Sequence, residues 1–161
     1  MNSSPQRMIN IRAFFVINKA FKIKVDKKIL HREIIAIKTR KREELVDITA
    51  KVRELIRSKD VEEGCLVIFV PHTTASITVN EGADPTVKED LLYVLRKLIP
   101  YRDSEYKHLE GNSDAHIKAS LLGSSLTLLI ENGDLILGRW QAIFFAEFDG
   151  PRQRRIHFSL Y

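Results

Sequence analysis

The stretch GCLVIFVPHTTASITVNE, residues 64–81, carries the clearest indication of fold class in this sequence. Its first part, Cys65–Val70, is a continuous apolar run with the length of one buried strand. Its second part, residues 73–80, alternates between apolar side chains and hydroxyl or amide side chains, so one face of that strand should pack on a core. The stretch therefore predicts two strands, the second with one apolar and one polar face.

Helix and turn signals follow on both sides of this stretch. Asp84-Pro85 predicts the N-cap and first turn of a helix that Pro100 ends. The apolar stripe of that helix is expected at Val87, Leu91, Val94, Leu95 and Leu98. The remaining predicted elements are a strand at 33–39, a helix capped by Asp47 or Thr49 with Ile48, Val52, Leu55 and Ile56 on its apolar face, a polar loop at 101–112, a helix at 113–122, and strands at 126–131, 135–138, 140–148 and 155–161.

The order of these elements predicts an α+β fold in one domain. Strands outnumber helices, and they do not alternate with helices in the way that parallel sheets require. Asn132-Gly133 is a strong hairpin signal, and Asp149-Gly150-Pro151 is typical of a turn between two further strands. We expect antiparallel sheets in a sandwich-like arrangement, packed beside two or three helices.

Length and composition are those of a globular domain. The chain has 161 residues, of which 44% are hydrophobic and 29% charged. We assign residues 31–161 to the domain and residues 1–30, with candidate strands at 9–17 and 20–25, to an N-terminal extension. The single cysteine, Cys65, reads as a buried small hydrophobe. The sequence shows no membrane-spanning run, and the cytoplasm is the predicted location.

The formal charge of +5 leaves three interpretations of the basic surface open. It could bind nucleic acid, hold phosphorylated small substrates, or be a solvated face without a partner. Nucleic acid is disfavoured because the chain has no recognised nucleic-acid motif. In addition, its aromatic strand, with Trp140, Ala142, Phe144, Ala146 and Phe148 on one face, reads as core packing.

Three histidines with polar neighbours are the candidate functional site. His72 shares strand parity with the hydroxyl-bearing face of residues 74–80, and Glu81 follows at the end of that strand. The nine residues 108–116 contain His108 and His116 together with two carboxylates and an amide. Asp114 and Lys118 lie four apart on a helix and can pair. We interpret these groups as one polar site.

Three neutral imidazoles around an open position suit a divalent metal. His72, His108 and His116 are the candidate ligands for zinc or a similar ion, with water in the fourth position. The alternative is that each histidine separately caps a helix or faces solvent, because the spacing matches no standard metal motif.

Three segments together resemble the YjbQ-like family, described as secondary thiamine-phosphate synthases. They are residues 69–81, residues 108–125 and residues 138–155, and the resemblance extends from about Ile34 to Tyr161. The recurring polar positions of the family fall here on His72, Thr73, Asn80, Glu81, His108, Glu110, Asn112, His116, Lys118 and Gln141. Two departures are Arg139, where the family usually has threonine, and residues 1–30, which have no counterpart.

The resemblance implies an α+β homotrimer that forms thiamine phosphate weakly from a pyrimidine pyrophosphate and a thiazole phosphate. If pyrophosphate is a substrate group, as the resemblance implies, carboxylates of the site could hold Mg²⁺. We therefore predict an enzyme that acts on a small phosphorylated metabolite. The alternative is a non-catalytic trimeric module that binds metabolites or nucleic acid. The predicted catalytic residues are Glu81, His72, His116 and Lys118, and the predicted substrate-binding residues are Thr73, Asn80, Asn112, Arg139 and Gln141.

Overall fold

The computed structural model describes residues 31–161, which contain eight strands and three helices. The candidate strands at 9–17 and 20–25 lie outside the described residues. In chain order the elements are β1 His31–Lys38, β2 Glu44–Asp47, α1 Thr49–Ser58, β3 Gly64–Phe69, β4 Ala75–Glu81, α2 Pro85–Leu98, α3 Ser113–Leu122, β5 Ser125–Glu131, β6 Asp134–Leu135, β7 Gln141–Glu147 and β8 Gln153–Leu160.

The strands form two antiparallel sheets. One has five strands in the order β1-β8-β3-β5-β6, and the other has three in the order β2-β7-β4. The hairpin at Asn132-Gly133 joins β5 to β6, with both turn residues at positive φ as its geometry requires. The predicted α+β class, with antiparallel sheets and three helices in the described part, is confirmed.

The main core lies between the two sheets. Leu66 and Ile68 of β3 are fully buried there against Ile77 of β4 and Phe145 of β7, and Ile56 of α1 closes the same cluster. Because Ala75 and Ile77 point into this core, the predicted apolar face of β4 is confirmed. This packing fixes the position of β4 and therefore the positions of the residues at its two ends.

A second core covers the outer face of the three-stranded sheet. Ala146 and Phe148 pack there against Leu95 of α2 and against Ala115 and Ala119 of α3. The three-stranded sheet is therefore a middle layer, with the larger sheet on one face and two helices on the other. Residues of β7 are buried on both faces for this reason.

The first part of the hydroxyl-bearing face does not form an open site, which corrects the sequence interpretation. Thr74 and Ser76 are buried, and the Ser76 hydroxyl donates a hydrogen bond to the carbonyl oxygen of Ala119 in α3 at 2.8 Å. His72 precedes β4, which begins only at Ala75, so it does not share the strand's parity. Alternation located the two faces correctly but could not show that helices cover the polar one.

Four further predictions are wrong in detail. Cys65, which was expected to be a buried small hydrophobe, is partly exposed in β3. In α2 only Leu95 of the predicted stripe is fully buried, whereas Val94 and Leu98 are exposed. Trp140 precedes β7 and is 60% exposed, although the other residues of its predicted face are buried. The strand predicted at 135–138 is shorter, because β6 ends at Leu135.

The start of α2 follows the predicted signal, because the carboxylate of Asp84 accepts a hydrogen bond from the backbone N–H of Thr86 at 2.8 Å, as expected of an N-cap. The predicted cap of α1 is wrong: its N-cap is Ile48, which has no capping side chain, although the carboxylate of Asp47 accepts a hydrogen bond from the N–H of Thr49 at 2.8 Å. None of the helices in residues 31–161 combines the length and apolar character needed to cross a membrane.

Candidate functional site

A cavity of about 590 Å³ lies between the β3–β4 connection and α3, and we call it the histidine cavity. His72 and Thr73 contribute from the connection, and His116 and Ser120, one helical turn apart, contribute from α3. Its lining residues are Phe69, Val70, Pro71, His72, Thr73, Ala75, His116, Ala119, Ser120, Gly123 and Ser124. Two imidazoles and several hydroxyls thus border one cavity of ligand size.

A backbone hydrogen bond fixes the orientation of His72. Its Nε2 atom accepts the N–H of Arg155 at 3.0 Å. A neutral imidazole that accepts at Nε2 must carry its proton on Nδ1. Burial, together with the nearby guanidinium of Arg154, lowers the pKa of His72 from its ordinary value. His72 is therefore a neutral hydrogen-bond donor through Nδ1 at pH 7.

His116 lies between two cavities. Its ring meets that of His108 edge to face, with the ring centroids 5.2 Å apart. Both histidines line a second cavity of about 460 Å³, which Lys107 and Ser113 also border. The Nε2 atom of His108 lies 3.8 Å from Oε2 of Glu110, which is mostly exposed. His116 is thus the side chain that the two neighbouring cavities share.

The three predicted metal ligands do not form one ligand set in a single chain. Within residues 31–161, no group of three His, Cys, Asp or Glu side chains is arranged to hold a metal ion. Nε2 of His72 is already occupied by the N–H of Arg155. His108 and His116 are neighbours, but the described part of one chain supplies no third ligand beside them. Metal binding by these histidines stays a prediction.

Four predicted site residues lie together in a separate cavity of about 360 Å³, which we call the Glu81 cavity. It lies where β4 ends and β7 begins, because Glu81 pairs with Gln141 in the sheet register. Gln141 accepts a hydrogen bond from the N–H of Gly138 through Oε1 at 2.8 Å. The residues that line the Glu81 cavity are Val79, Asn80, Glu81, Gly138, Arg139, Trp140 and Gln141.

The two cavities lie at opposite ends of β4. Six residue steps separate Ala75 from Glu81, which corresponds to roughly 20 Å along the strand. His72 lies still further back along the chain. The prediction of one continuous polar site is therefore wrong for a single chain, in which the residues form two separate groups.

Lys118 is buried in an ion network and does not face a phosphate site. Its side chain is 1% exposed, and its ammonium group donates hydrogen bonds to Asp114 Oδ2 at 2.8 Å and to Glu43 Oε1 at 2.5 Å. Arg42 holds Asp114 through both guanidinium nitrogens, and Arg96 binds Glu43. Burial opposes ionisation of Asp114, but hydrogen bonds from Arg42 and Lys118 prevail and lower its pKa. The predicted Asp114–Lys118 pair is confirmed, and its surroundings indicate a structural role.

Asn112 likewise joins parts of the fold. It is buried at the start of α3, and its Nδ2 donates to Oδ2 of Asp149 at 3.0 Å. That contact ties α3 to the turn between β7 and β8. Asn112 borders neither the histidine cavity nor the Glu81 cavity, so the structure does not place this predicted substrate-binding residue with the others.

One buried ion pair beside the histidine cavity was not predicted from the sequence. Arg154 binds Glu147 through Nε and Nη2, at 2.7 and 2.6 Å, and also donates to Thr74 Oγ1 at 2.8 Å. Thr39 donates to the same carboxylate. A single carboxylate within the apolar run of β7 was the available signal, because a charge at such a position requires a buried partner.

Comparison with known proteins agrees with this arrangement of two antiparallel sheets and three helices. The family model described as UPF0047 protein YjbQ-like matches residues 33–161. The UPF0047 protein MJ1081 of Methanocaldococcus jannaschii is 56% identical over 124 residues, covering 77% of this chain and 89% of that protein. The UPF0047 protein YugU of Bacillus subtilis is 45% identical, covering 78% of this chain and 96% of that protein.

Solved structures share both the fold and the sequence. A crystal structure of an uncharacterised YjbQ/UPF0047 protein from Clostridium acetobutylicum matches with a TM-score of 0.78 and 49% identity, covering 80% of this chain and 99% of that chain. A YbjQ-like protein of unknown function from Sulfolobus solfataricus matches with a TM-score of 0.77 and 34% identity, covering 81% of this chain and 95% of that chain. The chain belongs to the UPF0047 YjbQ-like family.

Proposed function

We propose that this protein is an enzyme that acts on a small phosphorylated substrate in the histidine cavity. One observation carries the proposal: His72, Thr73, His116 and Ser120 border a single cavity of about 590 Å³. An open cavity of this size has room for a small ligand, and a few convergent polar groups can orient it. The family resemblance supplies the reaction, a transfer that joins a pyrimidine pyrophosphate to a thiazole phosphate.

The chemistry of that transfer suits the groups in the cavity. Pyrophosphate leaves from a carbon that develops positive charge, so the site must stabilise the departing anion. In this proposal the Nδ1–H of His72 and the hydroxyl of Thr73 donate hydrogen bonds to phosphate oxygens. The hydroxyl of Ser120, which donates to the carbonyl oxygen of His116 at 2.9 Å, turns to a phosphate oxygen when the substrate binds. The thiazole nitrogen forms the new C–N bond with its lone pair while the C–O bond to pyrophosphate breaks, and His116, at the wall between the two cavities, donates a proton to the departing pyrophosphate.

The activity test is formation of thiamine phosphate from the two precursors, followed chromatographically. His116→Ala should lower the rate about 100-fold or more if His116 is the acid–base group. Thr73→Ala and Ser120→Ala should each lower the rate by roughly 10- to 150-fold, which corresponds to the 1.5–3 kcal/mol of one hydrogen bond to a charged group. His31→Ala is the matched control, because His31 borders neither cavity, and it should keep the wild-type rate. Equal rates in all four variants would contradict the proposal.

Binding without turnover would favour a different function. If the two precursors, or inorganic pyrophosphate, raise the melting temperature but no thiamine phosphate forms, the protein is a metabolite-binding module and not this transferase. Steeply salt-dependent binding of random DNA would favour the nucleic-acid alternative. Neither outcome would change the assignment to the family.

The metal prediction has its own test. If His72, His108 and His116 hold zinc, elemental analysis of purified protein should find the ion, and His116→Ala should lose it. Unchanged metal content in that variant would exclude His116 as a ligand. A requirement for Mg²⁺ in the transferase assay would instead point to an ion that accompanies pyrophosphate.

We also propose a cytoplasmic homotrimer, as the family resemblance implies. Large exposed apolar side chains support association: Leu98 is 71% exposed, Leu109 100% and Leu121 67%. Light scattering on the purified chain should give three times the 18.6 kDa chain mass. A monomer at micromolar concentration would contradict this part of the proposal.

A further inference from the structure

The two cavities of one chain carry different and complementary chemistry. The histidine cavity has imidazoles and hydroxyls, but no Asp, Glu, Lys or Arg lines it among residues 31–161. The Glu81 cavity has a carboxylate, a guanidinium and two amides, but no histidine lines it in the same part of the chain. A reaction on charged phosphates needs both kinds of group: cations that hold the anion and imidazoles that move protons.

One chain cannot join these two halves by a small movement. β4 holds them apart by roughly 20 Å. Ala75, Ser76 and Ile77 of that strand are buried between the main core and α3, so the separation is fixed by packing on both faces. The charged groups of the Glu81 cavity can therefore reach a histidine cavity only from a second copy of the chain.

Exposed apolar side chains adjoin both cavities. Trp140, 60% exposed, borders the Glu81 cavity, and Ile136 lies two residues before its Gly138. Phe69 lines the histidine cavity, and Leu121 follows its Ser120 on α3. Apolar surface around a polar cavity is typical of a region that another protein surface covers.

We propose that a second copy of the chain completes the site, with the Glu81 cavity of one subunit facing the histidine cavity of the next. Glu81 and Arg139 of one subunit then supply the charges that the neighbour's His72 and His116 lack. Contact between two different patches, repeated around a closed ring, gives one composite site per subunit. The inference rests on the proposed function for its chemistry, but its geometry can be tested separately.

A cross-linking experiment tests the geometry without any ligand or activity. Ser120 and Arg139 are both exposed, so Ser120→Cys and Arg139→Cys should fold. Both changes are placed in one chain in which Cys65→Ser removes the native thiol, and the protein is treated with a short bis-maleimide. The proposal expects covalent dimers and higher species on a denaturing gel. A chain with Ser120→Cys and Lys51→Cys, whose second thiol lies on the exposed side of α1, is the matched control and should stay monomeric.

Only monomer in the Ser120→Cys and Arg139→Cys chain, with both thiols shown to be modified, would overturn the composite site. So would equal cross-linking in the Lys51→Cys control, because it would indicate non-specific contact. Either result leaves the proposed function standing. If the wild type forms no thiamine phosphate but the Ser120→Cys and Arg139→Cys chain still cross-links, the proposed function is wrong and the shared site remains supported.

Subunit mixing then tests whether the composite site works. Glu81→Gln damages one half and His116→Ala the other, so each variant alone should be inactive. In oligomers co-expressed from equal amounts of both chains, about one quarter of the interfaces pair two intact halves, so the rate should recover to about one quarter of wild type. Sites contained in one chain would give no recovery. As a control, wild type mixed equally with the double variant should give about one quarter for shared sites and about one half for sites within a chain.

Discussion

The buried ion network around Lys118 gives the sharpest prediction about stability. Lys118→Met removes the ammonium group that bridges Asp114 and Glu43 but keeps most of the side-chain volume. Asp114 is fully buried, so its carboxylate would keep only Arg42 as a counter-ion. Removing one partner of a buried ion pair costs about 3–5 kcal/mol. That is a large fraction of the roughly 5–15 kcal/mol by which domains are stable.

The assay is equilibrium unfolding in guanidinium chloride at one fixed protein concentration, because association would make the midpoint depend on concentration. Lys97→Met, on the exposed face in the last turn of α2, is the matched control and should change the free energy of unfolding by less than about 0.5 kcal/mol. If Lys118→Met unfolds like the wild type but loses activity, Lys118 is a functional residue and the structural assignment is wrong.

Three further predictions test neighbouring parts of the account. The pKa of His72 is lowered in the folded chain, so its contribution to stability is present above the unfolded pKa of about 6.5 and is lost as the pH falls below that value. His72→Gln should therefore reduce the fall in melting temperature between pH 7.5 and 5. An unchanged pH dependence of the melting temperature would contradict this. Ser76→Ala should cost about 1 kcal/mol in guanidinium unfolding, since the hydroxyl donates to Ala119 inside the fold, and no cost would mean that α3 does not depend on this contact. Gly82→Ala should cost about 1–3 kcal/mol, because the added methyl would lie 2.5 Å from the Cβ atom of Ala142, whereas Gly138→Ala would meet only the flexible side chain of Gln141 and should cost less; equal costs would refute the packing argument.

Local patterns in the sequence predicted most of the fold. The apolar run at 65–70 and the alternation that follows it correspond to β3 and β4, and Asn132-Gly133 forms the expected hairpin. Such signals depend on neighbouring residues alone. What they could not show is which layer covers a polar strand face, and for this reason the position of α3 over Ser76 was missed.

The site was predictable in its parts but not in its assembly. The Asp114–Lys118 pair followed from helical spacing, whereas Glu43, the second partner of Lys118, lies 75 residues away in the sequence. The N–H that orients His72 belongs to Arg155, on the distant strand β8. Long-range contacts of this kind depend on the packing of whole elements, and a single sequence does not encode them in any local pattern.

The NMR signals of the histidine side chains test most directly the central claim that the histidine cavity is the ligand site. The measurement is a titration with inorganic pyrophosphate, followed through the imidazole nitrogen resonances of all five histidines. We predict that in the ligand-free protein His72 is the tautomer protonated at Nδ1. Pyrophosphate should shift the resonances of His72 and His116 and leave those of His31 and His157 unchanged. Shifts confined to His31 or His157, or no shift at His72 and His116 at millimolar pyrophosphate, would contradict the claim.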